Sequence, residues 1–381
     1  MPVESSHFDV VLASLLATGR DALGDVAWFD AHTHIGQNDP DGRRATPEEI
    51  LAGLDAAGHQ RALLFPMHEP AGYPAANDAV LAACAASGGR LEALVRVDPN
   101  AQGAVDEALR GLTAGARGIK LHPRSDAFGL PHPVVERLLA LADEHRAIVL
   151  FHAGRGIPHL GESVADLARR HPRASLVLAH AGISDLGWIA AEAARLPNLY
   201  FDTAWWQVSD LLQLYATIPP GQILYASDMP YSTGTMTAFL FVRIATAVGL
   251  GAEALRCIAG EQLGRIVAGE EPADLGPPPG RDALGERIVE AERAAMYLST
   301  AVQLAYREQD ASEAIALARS ACQTLRTDGH AELLGLVDRL CRLALDAASR
   351  RPDAPMVVIP PVLAGMALAG TPSSGAPTFA V

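Results

Sequence analysis

AIVLFHAGRGIPHLGESVADLARRHPRASLVLAHAG, residues 147–182, reads as strand, helix, strand. Two short apolar runs, 147–151 and 175–179, bracket a helical stretch at 163–170. Each run ends on a histidine, His152 and His180. Strands joined through a helix favour a parallel sheet. Working outward, the unit recurs. Strands are predicted at 27–31, 61–66, 91–97, 116–121, 199–202 and 223–226. Helical stretches are predicted at 47–57, 74–87, 104–112, 133–144, 185–195, 208–216 and 235–248. Eight strand–helix units match the ~31 residues per unit of a ~250-residue eightfold barrel. The expected fold class is therefore α/β, a (β/α)8 TIM barrel over residues 27–270, completed by a helix at 252–267.

The flanks read differently. Residues 1–26 are expected to hold an N-terminal helix. Glu271-Pro272 and Gly276-Pro277-Pro278-Pro279-Gly280 mark 271–281 as a linker. Residues 282–349 are rich in Ala, Leu, Glu and Arg and fit a small helical module of three antiparallel helices. That module is either a bundle folded on its own barrel, the preferred reading, or a dimerising or partner-binding unit, so a homo-oligomer stays open. The Pro-, Ala-, Gly- and Ser-rich tail, 350–381, is expected to be poorly ordered. Its apolar part, 356–370, contains Pro360-Pro361 and falls short of the ~20 residues of a spanning helix.

A net charge of −14 argues against nucleic acid and against anionic membranes as partners. The four cysteines, Cys84, Cys257, Cys322 and Cys341, form no CxxC pair and read as buried thiols of a reducing compartment. The acidic start, residues 1–10, does not resemble a signal peptide. The cytoplasm is the expected location, and a small-molecule substrate the expected partner.

The chemistry gathers at strand ends. Strand one closes on Phe29-Asp30-Ala31-His32-Thr33-His34. Residues i and i+2 of a strand face one side, so His32 and His34 converge. Strand four ends on Lys120-Leu121-His122, strand five on His152, strand six on His180 and strand eight on Ser227-Asp228. In this fold the C-terminal strand ends carry the active site. Imidazoles with one carboxylate suit a divalent metal, zinc before manganese, iron or cobalt. Expected ligands are His32, His34, His152, His180 and Asp228.

This order of residues resembles the amidohydrolase superfamily. The runs FDAHTHIG, GIKLHPR, FHAG, LAHAG and YASDMP are similar to its amidohydrolase-related branch, which includes decarboxylases of the aminocarboxymuconate-semialdehyde type. The resemblance spans residues 27–268. One departure is Gly260-Glu261, where that branch often has an Asn.

The resemblance and the residue types together imply a metal-dependent hydrolase, with metal-activated water attacking an amide, ester or lactone carbonyl. Asp228 is the expected general base. His180 either polarises substrate beside one metal or joins His152 on a second ion; one ion is preferred. The alternative is a non-oxidative decarboxylase (carboxy-lyase) of a small carboxylic acid, and the second alternative an inactive binding scaffold. Lys120, His122 and Arg155 are the expected substrate-binding residues, facing an anionic group. Lys120 also has two other readings: carboxylated, bridging two metals, or paired with Asp98. Arg155 could equally be a solvated loop residue. Trp205 and Trp206 either wall the pocket or pack in the core, and His68-Glu69 is placed at the mouth. His7, His59, His145 and His171 are expected at the surface. All active-site residues are expected before the linker.

Overall fold

The computed structural model describes residues 7–40, 42–323 and 328–377. Eight strands follow in order: β1 (Phe29–Ile35), β2 (Arg61–Pro66), β3 (Leu91–Arg96), β4 (Gly118–Leu121), β5 (Ile148–Phe151), β6 (Ser175–Leu178), β7 (Leu199–Asp202) and β8 (Ile223–Leu224). Neighbours pair in parallel in chain order. Past the end of β8 the chain meets β1, where Ala31 N–H donates to Tyr225 O, Asp228 N–H to His32 O and His34 N–H to Met229 O. The result is the expected TIM barrel, with the strands where the apolar runs placed them.

Helix α1 (His7–Asp21) precedes the barrel. Around it lie α2 (Pro47–Ala57), α3 (Pro74–Ala86), α4 (Ala104–Thr113), α5 (Pro133–His145), α6 (Leu160–Arg170), α7 (Leu186–Ala193), α8 (Val208–Thr217) and α9 (Gly234–Ala247). Then come α10 (Ala252–Arg256) and α11 (Gln262–Ala268). The local sequence dictates such elements. Thr46 and Glu49 form a reciprocal capping box at the start of α2, Pro47 opens it and Gly58 closes it in the left-handed region. Helix α6 buries Leu160, Val164, Leu167 and Ala168 on one stripe. Gly260 packs on the start of β1, where a Cβ would lie 2.2 Å from Ala27 O. Its role is therefore close packing under the barrel.

Two apolar layers result. Phe29, Ala31, Leu63, Phe65, Leu94, Ile148, Leu150, Val177 and Tyr200 fill the barrel interior. A larger layer lies between strands and helices. Arg96, Lys120, Leu150, Val177 and Tyr200 are in register across five strands. Arg96 and Lys120 thus share an inward-facing tier with apolar residues.

The C-terminal third departs from expectation. Helices α12 (Val289–Tyr306), α13 (Ser312–Cys322) and α14 (Ala331–Arg350) are joined by a fourth, α15 (Ile359–Gly370), in the tail expected to be poorly ordered. Val362, Ala364, Met366, Ala367 and Leu368 of α15 are buried. Burial of that apolar run outweighs the Pro-rich composition, because Pro360 and Pro361 lie in the first turn, where a missing N–H costs nothing. The helix packs on α12 and α14, and also on α8 and α9 of the barrel. Half-buried Arg243 of α9 ties down the segment beyond it, donating to Thr371 Oγ1, Thr371 O and Gly375 O. The proline-rich 271–281 stretch is also held, since Ala273 exchanges hydrogen bonds with Gln262. Among the described residues, no helix is long and apolar enough to cross a membrane.

Candidate metal centre

A β-bulge builds the site. Asp30 pairs with Ala62 and Thr33 with Leu64, so β1 spends one residue more than β2. Ala31 and His32 therefore both oppose Leu63, and the inward parity passes from Phe29 and Ala31 to His32 and His34. Without the bulge, simple alternation would aim both histidines at the surrounding helices. Two other residues turn inward through positive φ: His180 at 55° and Asp228 at 63°. His and Asp tolerate this region better than most residues, and such local strain is typical of functional sites.

His32, His34 and Asp228 come together, their candidate ligand atoms all within 4.8 Å of one another. Asp228 Oδ1 lies 3.0 Å from His34 Nε2 and 3.3 Å from His32 Nε2. Donors on a tetrahedral ion at ~2.0–2.1 Å stand ~3.3–3.4 Å apart, so the spacing fits a divalent metal. The opposite ring nitrogen of His32, Nδ1, donates to Asp202 Oδ2 at 2.7 Å. That bond directs the Nε2 lone pair at the centre. Asp202 Oδ1 accepts from His180 N–H and Ala204 N–H at 2.8 and 3.0 Å.

His152 and His180 stand beside this trio rather than within it. His180 Nδ1 donates to Ala204 O at 2.6 Å, so its Nε2 is an acceptor, lying 3.0 Å from His152 Nδ1. His152 must then donate through Nδ1, which leaves its buried Nε2 as a lone pair without a hydrogen-bond partner. His122 stacks on His152, ring centroids 3.8 Å apart. Burial lowers the pKa of His180. Burial first, then neighbouring positive charge, holds His32, His34, His122 and His152 well below the ordinary value. Neutral imidazoles are the form that binds metal. Burial also raises Asp228 to about 6 and Asp202 to about 7.

These residues line a cavity of about 700 Å³ at the barrel mouth. Arg96, Lys120, His122, Arg124 and Arg155 also face it. Lys120 is fully buried, its Nζ without a hydrogen-bond partner among the described residues and 4.7 Å from the Phe65 ring centroid. Burial lowers its pKa to about 7. It does not pair with Asp98, whose carboxylate accepts from Asn100 N–H. Exposed Arg155 lies over Trp205 and Trp206, at 5.2 and 5.6 Å from their rings, and both indoles wall the cavity. His68 lines the mouth; Glu69 instead accepts from Asn38.

Several expectations need correction. His59 is buried, stacked on Trp28, because the chain after α2 turns under the barrel instead of outward. His171 is half-buried against Glu136, His145 is exposed, and the side chain of His7 lies outside the described residues. The cavity wall does not stop at the linker: Tyr306, Met356, Ile359, Pro360 and Leu363 belong to it. The reading by residue type also missed Asp202 and Arg96. Asp202 ends the run Leu199-Tyr200-Phe201 as His152 and His180 end theirs, so the same signal was present. Arg96 sits two residues beyond inward-facing Leu94, and is held by Asp126, which also accepts from Tyr73 OH at 2.5 Å.

A parallel barrel with, at the C-terminal ends of its strands, a His–His–Asp group that could hold a metal is the architecture of a TIM-barrel enzyme. The amidohydrolase family pattern matches residues 29–261, and the chain belongs to that family. Members are generally metal-dependent. Among solved structures the chain is similar to 5-carboxyvanillate decarboxylase LigW from Sphingomonas paucimobilis, at 16% identity and TM-score 0.51, covering 64% of this chain and 99% of that one. It is also similar to 2,6-dihydroxybenzoate decarboxylase from Rhizobium, at 15% identity and TM-score 0.50, covering 64% and 99%. An uncharacterized TIM-barrel protein from Bordetella bronchiseptica is similar at 15% identity and TM-score 0.52, covering 63% and 98%. At these identities the likeness concerns the fold. No curated protein matches in sequence.

Proposed function

We propose that the chain is a metal-dependent enzyme acting on a small-molecule carboxylic acid, with non-oxidative decarboxylation as the reaction that the site suits best. The observation that carries this is Lys120, a fully buried amine open to the cavity with no hydrogen-bond partner. A buried ammonium is costly until an anion joins it. In a chain of net charge −14, Arg96, Arg124 and Arg155 face the same cavity. A neutral amide or lactone needs no such wall. The preference between the two reactions expected from sequence is thereby reversed.

His32, His34 and Asp228 would hold the ion, zinc by donor type, with His180 and His152 beside it. Bound there, the ion would polarise a substrate oxygen and stabilise negative charge developing on it. Lys120 and His122 seat the substrate carboxylate. As the carbon–carboxylate bond breaks, its electron pair stays on carbon, carbon dioxide leaves, and Asp228, having first taken up a proton from water, supplies the proton that replaces it. The location is proposed to be cytoplasmic.

Hydrolysis remains the second reading, because Asp228 lies within reach of both histidines and would serve equally as a base that takes a proton from water. The test is a panel of aromatic and unsaturated carboxylic acids followed by carbon dioxide release, run with zinc-loaded protein beside lactones, esters and amides. Turnover of acids, with KM raised at least tenfold in Lys120→Met, is the expected result. Turnover of neutral lactones or amides alone, with acids inert, overturns the decarboxylase reading.

A further inference from the structure

We infer that α12 and α15 build a distal apolar subsite, so that the substrate is an amphiphilic acid with a carboxylate at one end and an alkyl or aryl portion at the other. The inference rests on the carboxylic-acid reading above and adds the half of the ligand that the catalytic residues do not touch. Tyr306 ends α12, Met356 precedes α15, and Ile359 and Leu363 lie on α15; all four line the metal-site cavity. They belong to the part of the chain outside the family match, which ends at residue 261.

Topology sets the two ends apart. Arg96, Lys120, His122 and Arg124 lie on or just beyond β3 and β4. Helix α15 packs on α8 and α9, which follow β7 and β8. In a ring of eight strands in chain order, β3 and β4 stand across the barrel from β7 and β8. The cavity therefore has a cationic wall at β3 and β4 and, across from it, a wall of largely apolar side chains over which Arg155 lies against Trp205 and Trp206. Tyr306 is 45% exposed, yet its ring lies 6.5 Å from that of Trp206, and both residues line the cavity. Its open face is thus turned to the cavity. The wall is firmly backed, since α15 is buried against α12 and α14 and held beyond its end by Arg243. At about 700 Å³ the cavity matches a ligand with a sizeable apolar body, whose burial would favour binding.

The experiment measures Kd of the zinc-loaded full chain for propionate, pentanoate and octanoate, with octanol as the uncharged control, by calorimetry or tryptophan quenching. Each buried methylene should tighten binding about fourfold. The propionate-to-octanoate ratio of Kd should fall at least tenfold in Tyr306→Ser and in Met356→Ser, two separate changes so that one unstable variant does not decide the matter. A flat series in the unaltered protein, or ratios preserved in both variants, overturns the inference. Binding of octanol but of no acid, with the dependence on Tyr306 intact, upholds the apolar subsite and instead sinks the carboxylate reading.

Discussion

Asp202 holds His32 by a 2.7 Å hydrogen bond from Nδ1 to Oδ2, and the two residues are 170 positions apart in sequence. The bond fixes both the ring orientation and the tautomer of a candidate ligand from a strand two places away around the barrel. Outer carboxylates of this kind typically contribute 10–100-fold to metal affinity. Asp202→Asn should weaken zinc binding about 10–100-fold, measured by chelator competition. The Asn side chain still accepts backbone N–H bonds, so circular dichroism should be unchanged. Unaltered zinc affinity would show that His32 needs no partner.

Asp228 is proposed as both a metal ligand and the proton carrier. Asp228→Asn should reduce turnover by ~10²-fold or more, the scale of general acid–base catalysis, while part of the metal is retained. The raised carboxyl, about 6, places a step in the pH–rate profile at or below that value, because a bound cation favours the ionised form. If Asp228 acts as a base, activity falls as pH drops through the step; if it acts as an acid, activity falls as pH rises through it. The profile of the unaltered enzyme therefore separates hydrolysis from decarboxylation. A near-native rate in Asp228→Asn would transfer the proton step to another group such as His180.

His59 predicts acid sensitivity away from the active site. Both ring nitrogens are buried without hydrogen-bond partners, and burial lowers its pKa to about 3. The unfolded chain takes up a proton near pH ~6.5, whereas the folded one does not until about 3. Stability that is present above that unfolded value is therefore lost as pH falls, by about 1.4 kcal/mol per pH unit. His59→Phe keeps the stacking on Trp28 and removes this loss. Urea denaturation at pH 7 and pH 5 should show a smaller difference for the variant. Parallel losses in both proteins would contradict the assignment.

Arg243 is a half-buried clamp between barrel and C-terminal segment. Arg243→Met removes three donated bonds and leaves Thr371 O and Gly375 O with one donor fewer. The expected cost is about 1–3 kcal/mol, with faster proteolysis after α14 as the direct readout. If cleavage there is no faster, the segment is held by α15 packing alone. Removal of everything after residue 270 would leave the His32, His34 and Asp228 cluster intact chemically but expose the faces of α8 and α9 that α15 covers.

The barrel was legible in the sequence, because each strand is a short apolar run and each run is followed by a longer helical stretch. The sequence also determined which polar residues end those runs: His32, His34, Lys120, His152, His180 and Asp228 all lie at strand ends by spacing alone. Tertiary structure decided which way they face. Alternation in β1 runs from Phe29 and Ala31, and only the register of β1 against β2 reveals the bulge that turns His32 and His34 inward. It decided that His152 stands beside His180, that Asp202 meets His32, and that Lys120 Nζ has no hydrogen-bond partner among the described residues. It decided the tail as well. The tail from residue 350 has the Pro-, Ala-, Gly- and Ser-rich composition of a loosely held segment, yet its apolar run at 356–370 is a buried helix because α8, α9, α12 and α14 together offer it an apolar seat. No local pattern encodes such a seat: burial is a sum over neighbours distant in sequence, and only the folded chain brings them together.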